Sequence, residues 1–137
     1  MPLFLAFDYG EKRIGTAVGD DVTRSARALA AIAGNDWKAV EKLVSDWKPS
    51  ALIVGLPLHE DGSEQATTTA ARRFAAQLGE RLKLPVHLAD ERYSSRAADD
   101  WLRDARSSGR MTRRVRKGDR DAQAARVILQ QWLEENC

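Results

Sequence analysis

The run Leu3 to Phe7 is apolar at every position and stops at an acid, Asp8. Side chains of a strand alternate between faces, so Leu3, Leu5 and Phe7 share one face and Phe4, Ala6 and Asp8 the other. A strand that is apolar on both faces sits centrally in a sheet and must be covered on both sides. A second strand, "RIGTAVGD", follows after only Tyr9 to Lys12, a turn short enough for an antiparallel hairpin. The carboxylate at the tip of so apolar a strand needs a reason.

The rest of the chain alternates strands with helices. A weakly patterned third strand is expected in the region of Arg24 to Ile32. "NDWKAVEKLVSDWKP" combines an Asn or Asp cap with apolar Trp37, Val40, Leu43, Val44 and Trp47, then Pro49 as a stop, which predicts an amphipathic helix. "ALIVGLP" reads as a short buried strand. A helix is expected from about Ser63 to Leu82, with Ala71, Phe74, Ala75, Leu78 and Leu82 on one face. "LPVHLADE" is the next strand, followed by helices at about Ser95 to Ala105 and Asp119 to Glu135. The expected order is βββαβαβαα. Strands separated by helices call for parallel crossovers, so the fold class is α/β with a central mixed sheet flanked by helices.

With 137 residues the chain suits a single domain, 1–137. No apolar stretch approaches the roughly 20 residues of a membrane span, and the N-terminus lacks the basic region and cleavage site of a signal peptide. The only cysteine is Cys137, which leaves no disulfide framework or cysteine metal cluster. A cytoplasmic location is the expectation. Net charge is only +2, yet Arg103 to Arg120 holds eight Lys or Arg against two Asp. Within it, "SSGRMTRRVRKG" has five cations, Arg110, Arg113, Arg114, Arg116 and Lys117, and no acid. Such a segment reads as a flap that holds a nucleic-acid backbone through its phosphates, or as a solvated linker.

In mixed sheets covered by helices, ligands bind beyond the carboxyl ends of strands. Asp8 lies at one such end. Asp90 and Glu91 end another strand and point to opposite faces, so only one of them can face a given site. In the last helix Asp121, Ala125, Ile128 and Trp132 are spaced by four, three and four residues, which puts Asp121 on the inward face in the first turn, while Asp119 precedes that face and suits a cap. Carboxylates brought together repel one another unless a divalent cation joins them. Hard oxygen ligands suit Mg²⁺ or Mn²⁺, and two such ions can activate a water and stabilise the leaving oxygen in phosphodiester cleavage.

Four segments, "DYGEKRIGTAVGD", "LIVGLPLHEDGS", "LPVHLADERYSS" and "KGDRDAQAARVIL", together resemble the YqgF/RuvX family of ribonuclease H-like nucleases, known as Holliday junction resolvases and as nucleases that mature the precursor of 16S ribosomal RNA. The resemblance covers nearly the whole chain. It implies a ribonuclease H-like fold, a Mg²⁺ or Mn²⁺ cofactor and a nucleic-acid partner, RNA or structured DNA. The family's acids fall on Asp8, Glu91 and Asp121, both as catalytic residues and as metal ligands. Two departures stand out: "DERYSS" replaces the usual "DERLTT", and Gly19 stands where the family commonly has Ser. Lys12, Arg13 and Arg92 lie beside acids, where ion pairing and phosphate contact are both open.

Each acid has a plainer reading: Asp8 as a turn acid, Glu91 as a surface ion-pair partner, Asp121 as a helix-start acid favoured by the macrodipole. The four Trp and the strand residue His87 suit packing rather than ligand binding. A rival fold reading is a nucleotide-binding domain, because "DYGEKRIGTAVG" is also similar to the first phosphate motif of the actin and sugar-kinase superfamily. A second Asp-Gly phosphate loop is missing, which counts against it. A nucleic-acid-binding module without activity is the other rival. Each predicted helix has one apolar stripe and the sheet uses it, so a monomer or weak homodimer is expected.

Overall fold

The structure, a computed structural model, describes residues 2–10, 12–34, 36–57, 66–90 and 117–136, with Asp90 and residues 117–122 as backbone only. Three strands open the fold: β1 (Leu3–Asp8), β2 (Arg13–Asp20) and β3 (Ala26–Ala33). Helix α1 (Trp37–Trp47), strand β4 (Ala51–Leu56), helix α2 (Ala66–Leu82), strand β5 (Val86–Asp90) and helix α3 (Lys117–Asn136) follow. The five strands form one sheet in the order β3-β2-β1-β4-β5. β1 pairs antiparallel with β2 and parallel with β4, and β4 parallel with β5, so the sheet is mixed and β1 is its middle strand.

The two apolar faces of β1 meet different layers. Leu5 and Phe7 belong to a core with Ile14, Val18, Leu52, Val54, the α1 residues Val40 and Val44, and the α2 residues Phe74, Ala75 and Leu78. Burial of a side chain such as Phe7 is worth roughly 1.5–3 kcal/mol. Ala6, Ala17 and Ile53 form the opposite face with Ala125, Ile128, Leu129 and Leu133 of α3. Ala6 and Ala17 are small, and at Gly19 beside them α3 lies close against the sheet. An ideal Cβ on Gly19 would stand 2.8 Å from the Ser25 carbonyl oxygen and 2.9 Å from the Leu133 Cδ1.

The caps follow from local chemistry. Asp36 is the α1 cap, its carboxylate accepting from the Ala39 amide at 3.1 Å, and Lys48 closes the helix at φ 50° just before Pro49. Thr68 is fully buried, and its hydroxyl donates to the Pro57 carbonyl, tying the start of α2 to the end of β4. β3 runs two residues later at its start than the expected segment, because Arg24 occupies a turn at φ 52°. A bulge between Ile14 and Thr16 shifts its register against β2, and the Thr16 hydroxyl donates to the Ala30 carbonyl at 2.9 Å. Gln130 clasps α3 to this edge: its amide nitrogen donates to the Arg24 carbonyl at 2.7 Å and its oxygen accepts from the Ala26 amide at 3.0 Å.

α3 begins at Lys117, two residues before the expected start. Asp119 therefore lies inside the first turn rather than capping it, and Asp121 is the fifth helical residue, in the second turn. Lys117, expected in the basic loop, is the first helical residue. The expected helix at Ser95–Ala105 lies outside the described residues. No helix among those described is long and apolar enough to cross a membrane.

Candidate functional site

Asp8 ends β1 opposite Gly15 of β2 and is half-buried. Alternation along β1 gives it the side of Phe4 and Ala6, the side that α3 covers. The chain then turns at Gly10, where an ideal Cβ would come within 2.5 Å of the Arg13 carbonyl oxygen, so only glycine fits without a shift. Lys12 is exposed in this turn, and its carbonyl accepts from the Gly34 amide at 2.9 Å. Arg13, half-buried, opens β2. Asp8 and Arg13 each hold an interaction within the chain.

The path of α3 relates it to Asp8. The rings of Phe4 and Trp132 lie 5.0 Å apart, and Leu129 and Leu133 pack at Gly19, the partner of Phe4 across the ladder. From that level Asp8 is four residues along β1, about 13 Å at the rise of a strand. Position 121 is eleven residues back along α3, about 16 Å at the rise of a helix. Ala124 and Ala125, between them, are buried. The packed stretch of α3, Ala125 to Leu133, thus covers the face of β1 to which Asp8 belongs by alternation. Ala125 and Ile128 are fully buried and Trp132 packs beside them, so the inward stripe read from the sequence is present from Ala125 onward.

β5 presents His87 and Ala89 to this same layer: Ala89 packs on the α3 core, and the His87 ring lies 5.3 Å from that of Trp132. His87 and Trp132 are thus packing residues, as expected, while Trp37 lies on Phe74 at 5.4 Å, under the Arg81 guanidinium at 4.4 Å, and also lines a cavity. Trp47 lies under Arg27 at 5.4 Å.

Glu91, Arg92, Arg110, Arg113, Arg114 and Arg116 lie outside the described residues. Among the described residues no three His, Cys, Asp or Glu form a group able to hold a metal ion. Asp8, a hard oxygen donor at the carboxyl end of β1, suits one ligand position of a divalent-cation site. Two shifted groups lie elsewhere. The hydrogen bond from the Thr23 amide, helped by those from the Thr23 hydroxyl and the Val22 amide, holds the Asp20 carboxyl below the usual carboxylate range against the opposing effect of desolvation. Partial burial lowers the Arg126 guanidinium, which donates to the Gln123 side-chain oxygen at 2.7 Å.

Sequence reading missed one feature of this strand end. Tyr9, Trp37 and Phe74 line a cavity on the α1 and α2 side, with Arg73 and Gln77 at its rim. The one available signal was the spacing of Ala70, Arg73, Phe74 and Gln77 along α2, which puts polar groups beside the aromatic stripe.

Comparison with known proteins bears on the family and the fold. A protein of Burkholderia vietnamiensis named "Putative pre-16S rRNA nuclease" is 52% identical over 136 residues, covering 96% of this chain and 89% of the relative. A protein of the same name from Burkholderia cenocepacia is 51% identical over 135 residues, covering 96% and 88%. Among solved structures, RuvC of T. thermophilus in complex with a Holliday junction substrate superposes with a TM-score of 0.59 at 13% identity, covering 98% of this chain and 95% of that one. The fowlpox virus Holliday junction resolvase gives 0.61 at 11% identity, covering 97% and 99%. These last two share the ribonuclease H-like fold. The family model RuvX, described as Holliday junction resolvase, matches residues 2–135, and the chain belongs to that family.

Proposed function

We propose that this protein is a nuclease that hydrolyses phosphodiester bonds in flexible RNA with Mg²⁺ or Mn²⁺, and that its target is the precursor of 16S ribosomal RNA. The observation that carries the reading is Asp8, a carboxylate at the carboxyl end of a strand otherwise apolar on both faces, on the side that α3 covers. The names of its relatives, which match over nearly their whole length, support the RNA target.

Asp8, Glu91 and Asp121 are the proposed metal ligands and catalytic residues. A bound divalent ion supplies activation of water and stabilisation of the leaving oxygen. The chain's own residues fix where this happens. Pairing with β2 reaches Asp8 itself and pairing with β4 reaches Phe7, which holds this strand end in place, and Lys12 in the turn after Gly10 is a proposed phosphate contact. Small Ala6 and Ala17 let α3 pack close to the sheet along Ala125 to Leu133, and Asp121 is proposed to continue that stripe one turn earlier. Arg13, Arg92, Arg110, Arg113, Arg114, Arg116 and Lys117 are the proposed phosphate contacts, which position the strand without reading its sequence.

The second reading, cleavage of Holliday junctions, is favoured by the description of the family. Symmetric cutting of a four-way junction requires two sites in a fixed two-fold arrangement. We assign a monomer or weak homodimer, because the three described helices each spend their apolar stripe on the sheet. Purified protein should be compared on 16S precursor RNA and on a synthetic junction, with Mg²⁺ or Mn²⁺. Cleavage of the RNA is expected. Paired symmetric nicks in the junction with the RNA untouched would replace this reading by the second.

A further inference from the structure

Behind the tip of β1, on the face opposite Asp8, lies a half-open cavity of about 80 Å³. Buried Phe74 forms its floor, and the half-buried rings of Tyr9 and Trp37 form its walls. Those rings lie 4.9 and 5.4 Å from Phe74 and are tilted from it by 36° and 32°. The rim is polar: exposed Arg73 and Gln77, one turn apart on α2, face Asp36, the cap of α1. Tyr9 directly follows Asp8, so the cavity and the acid stand on either side of one strand end.

A gap left by imperfect packing would be dry, closed and lined by aliphatic groups. This one opens to solvent, has aromatic walls and carries hydrogen-bonding groups at its mouth. A water's share of liquid volume is about 30 Å³, so the cavity holds roughly two or three waters. It can take the edge of a flat ring at its open side, not a whole base buried within it. A flat heterocycle that enters edge-on meets π-faces, with the Gln77 amide able to donate and accept. Arg73 at the rim and Lys12 in the adjoining turn place cations where the flanking phosphates would run.

We propose that this cavity receives the edge of the base of an unpaired nucleotide next to the scissile phosphate, and so selects single-stranded over duplex nucleic acid. The inference rests on the nuclease reading of Asp8. A base within a duplex is held in its stack and cannot turn into the cavity without unpairing. An aromatic platform tolerates any base, because each has a π-face. Selection is therefore by strandedness and not by sequence.

The test uses single-stranded RNA carrying 2-aminopurine at each position in turn, bound to the full chain without divalent metal. One position is expected to lose fluorescence by stacking, and the same RNA annealed to its complement is not. An abasic site at that position should weaken binding by at least about fivefold. Ala70→Leu, which fills the cavity from α2, should abolish the quench, and Arg73→Ala with Gln77→Ala should reduce it. Should Ala70→Leu not fold, the abasic series decides alone. RNA cleaved with Mn²⁺ but with no quenched position, or with every abasic site neutral, overturns the cavity and leaves the nuclease reading. A position-specific quench lost in Ala70→Leu, together with no cleavage of RNA or DNA, upholds the cavity and sinks the nuclease.

Discussion

Substitution of Gly19 by Ala tests how closely α3 must approach the sheet. The added methyl would meet the Ser25 carbonyl oxygen at 2.8 Å, the Leu133 Cδ1 at 2.9 Å and the Leu129 Cδ2 at 3.3 Å. The leucine ends can rotate, but the carbonyl belongs to the backbone of the β2–β3 turn. Overpacking of this kind costs about 1–3 kcal/mol. Replacing glycine in a strand returns roughly 0.5–1 kcal/mol through the unfolded chain. A net loss of about 0–2.5 kcal/mol follows, centred on about 1, which lowers the urea midpoint by roughly 0.5 M at an m-value of about 2 kcal/mol/M. Leu133→Ala alone should cost about 2–5 kcal/mol. In the double variant the two effects should fall short of their sum, because the missing leucine makes room for the methyl. Urea unfolding followed by circular dichroism measures all three. A Gly19→Ala protein more stable than the parent, or strict additivity in the double variant, would refute the close approach. The Ser common at this place in the family would meet the same atoms, so this chain has set its helix against a bare strand.

Three further predictions concern the site and its surroundings. Asp8→Asn should abolish cleavage while leaving RNA binding nearly intact, and Asp121→Asn should behave alike with Asp90→Asn and Asp119→Asn much milder; activity kept in Asp121→Asn and lost in Asp119→Asn would move the ligand on α3. Replacement of Arg113, Arg114 and Arg116 by Ala should lower the slope of log affinity against log salt by roughly two to three units, with stability changed by about 0.5 kcal/mol or less. The Asp20 carboxyl, held low by the Thr23 and Val22 hydrogen bonds, contributes stability above its unfolded value of about 3.9 that is lost as pH falls through its lower folded value. Asp20→Asn should therefore flatten this acid limb in urea unfolding, and an unchanged limb would assign no role to the turn.

Strong contrast made the central elements legible. β1, β2 and β4 are apolar runs bounded by charge or proline, and α1 has its cap, stripe and stop in plain sequence. Asp8 was legible because an acid interrupts apolar alternation. β3 was not clear, because "ARALAAIA" is low in contrast and its register breaks at the Thr16 bulge. The start of α3 was placed late because Lys117 and Gly118 read as the end of a basic loop, whereas the helix already includes them. The cavity was hidden because it joins the tip of β1, the first turn of α1 and the middle of α2, and no local pattern links these. The Gln130 clasp spans 104 and 106 residues, a contact that tertiary structure alone creates.

That clasp also bears on the order in which the molecule is completed. Of the elements described, α3 is the last to be synthesised, yet it closes the face formed by β1, β2 and β4. Contacts so distant in sequence close slowly, and domains generally begin to fold from the end made first. The sheet and the α1 and α2 layer can therefore assemble while Ala6, Ala17 and Ile53 remain uncovered, as a half-molecule apolar on one side. Docking of α3 hides that surface, and in the proposed site the same step would bring Asp121 toward Asp8. If these acids act together, cutting activity and resistance to aggregation arrive in a single late step, and a nascent chain cannot attack the RNA around it before that step.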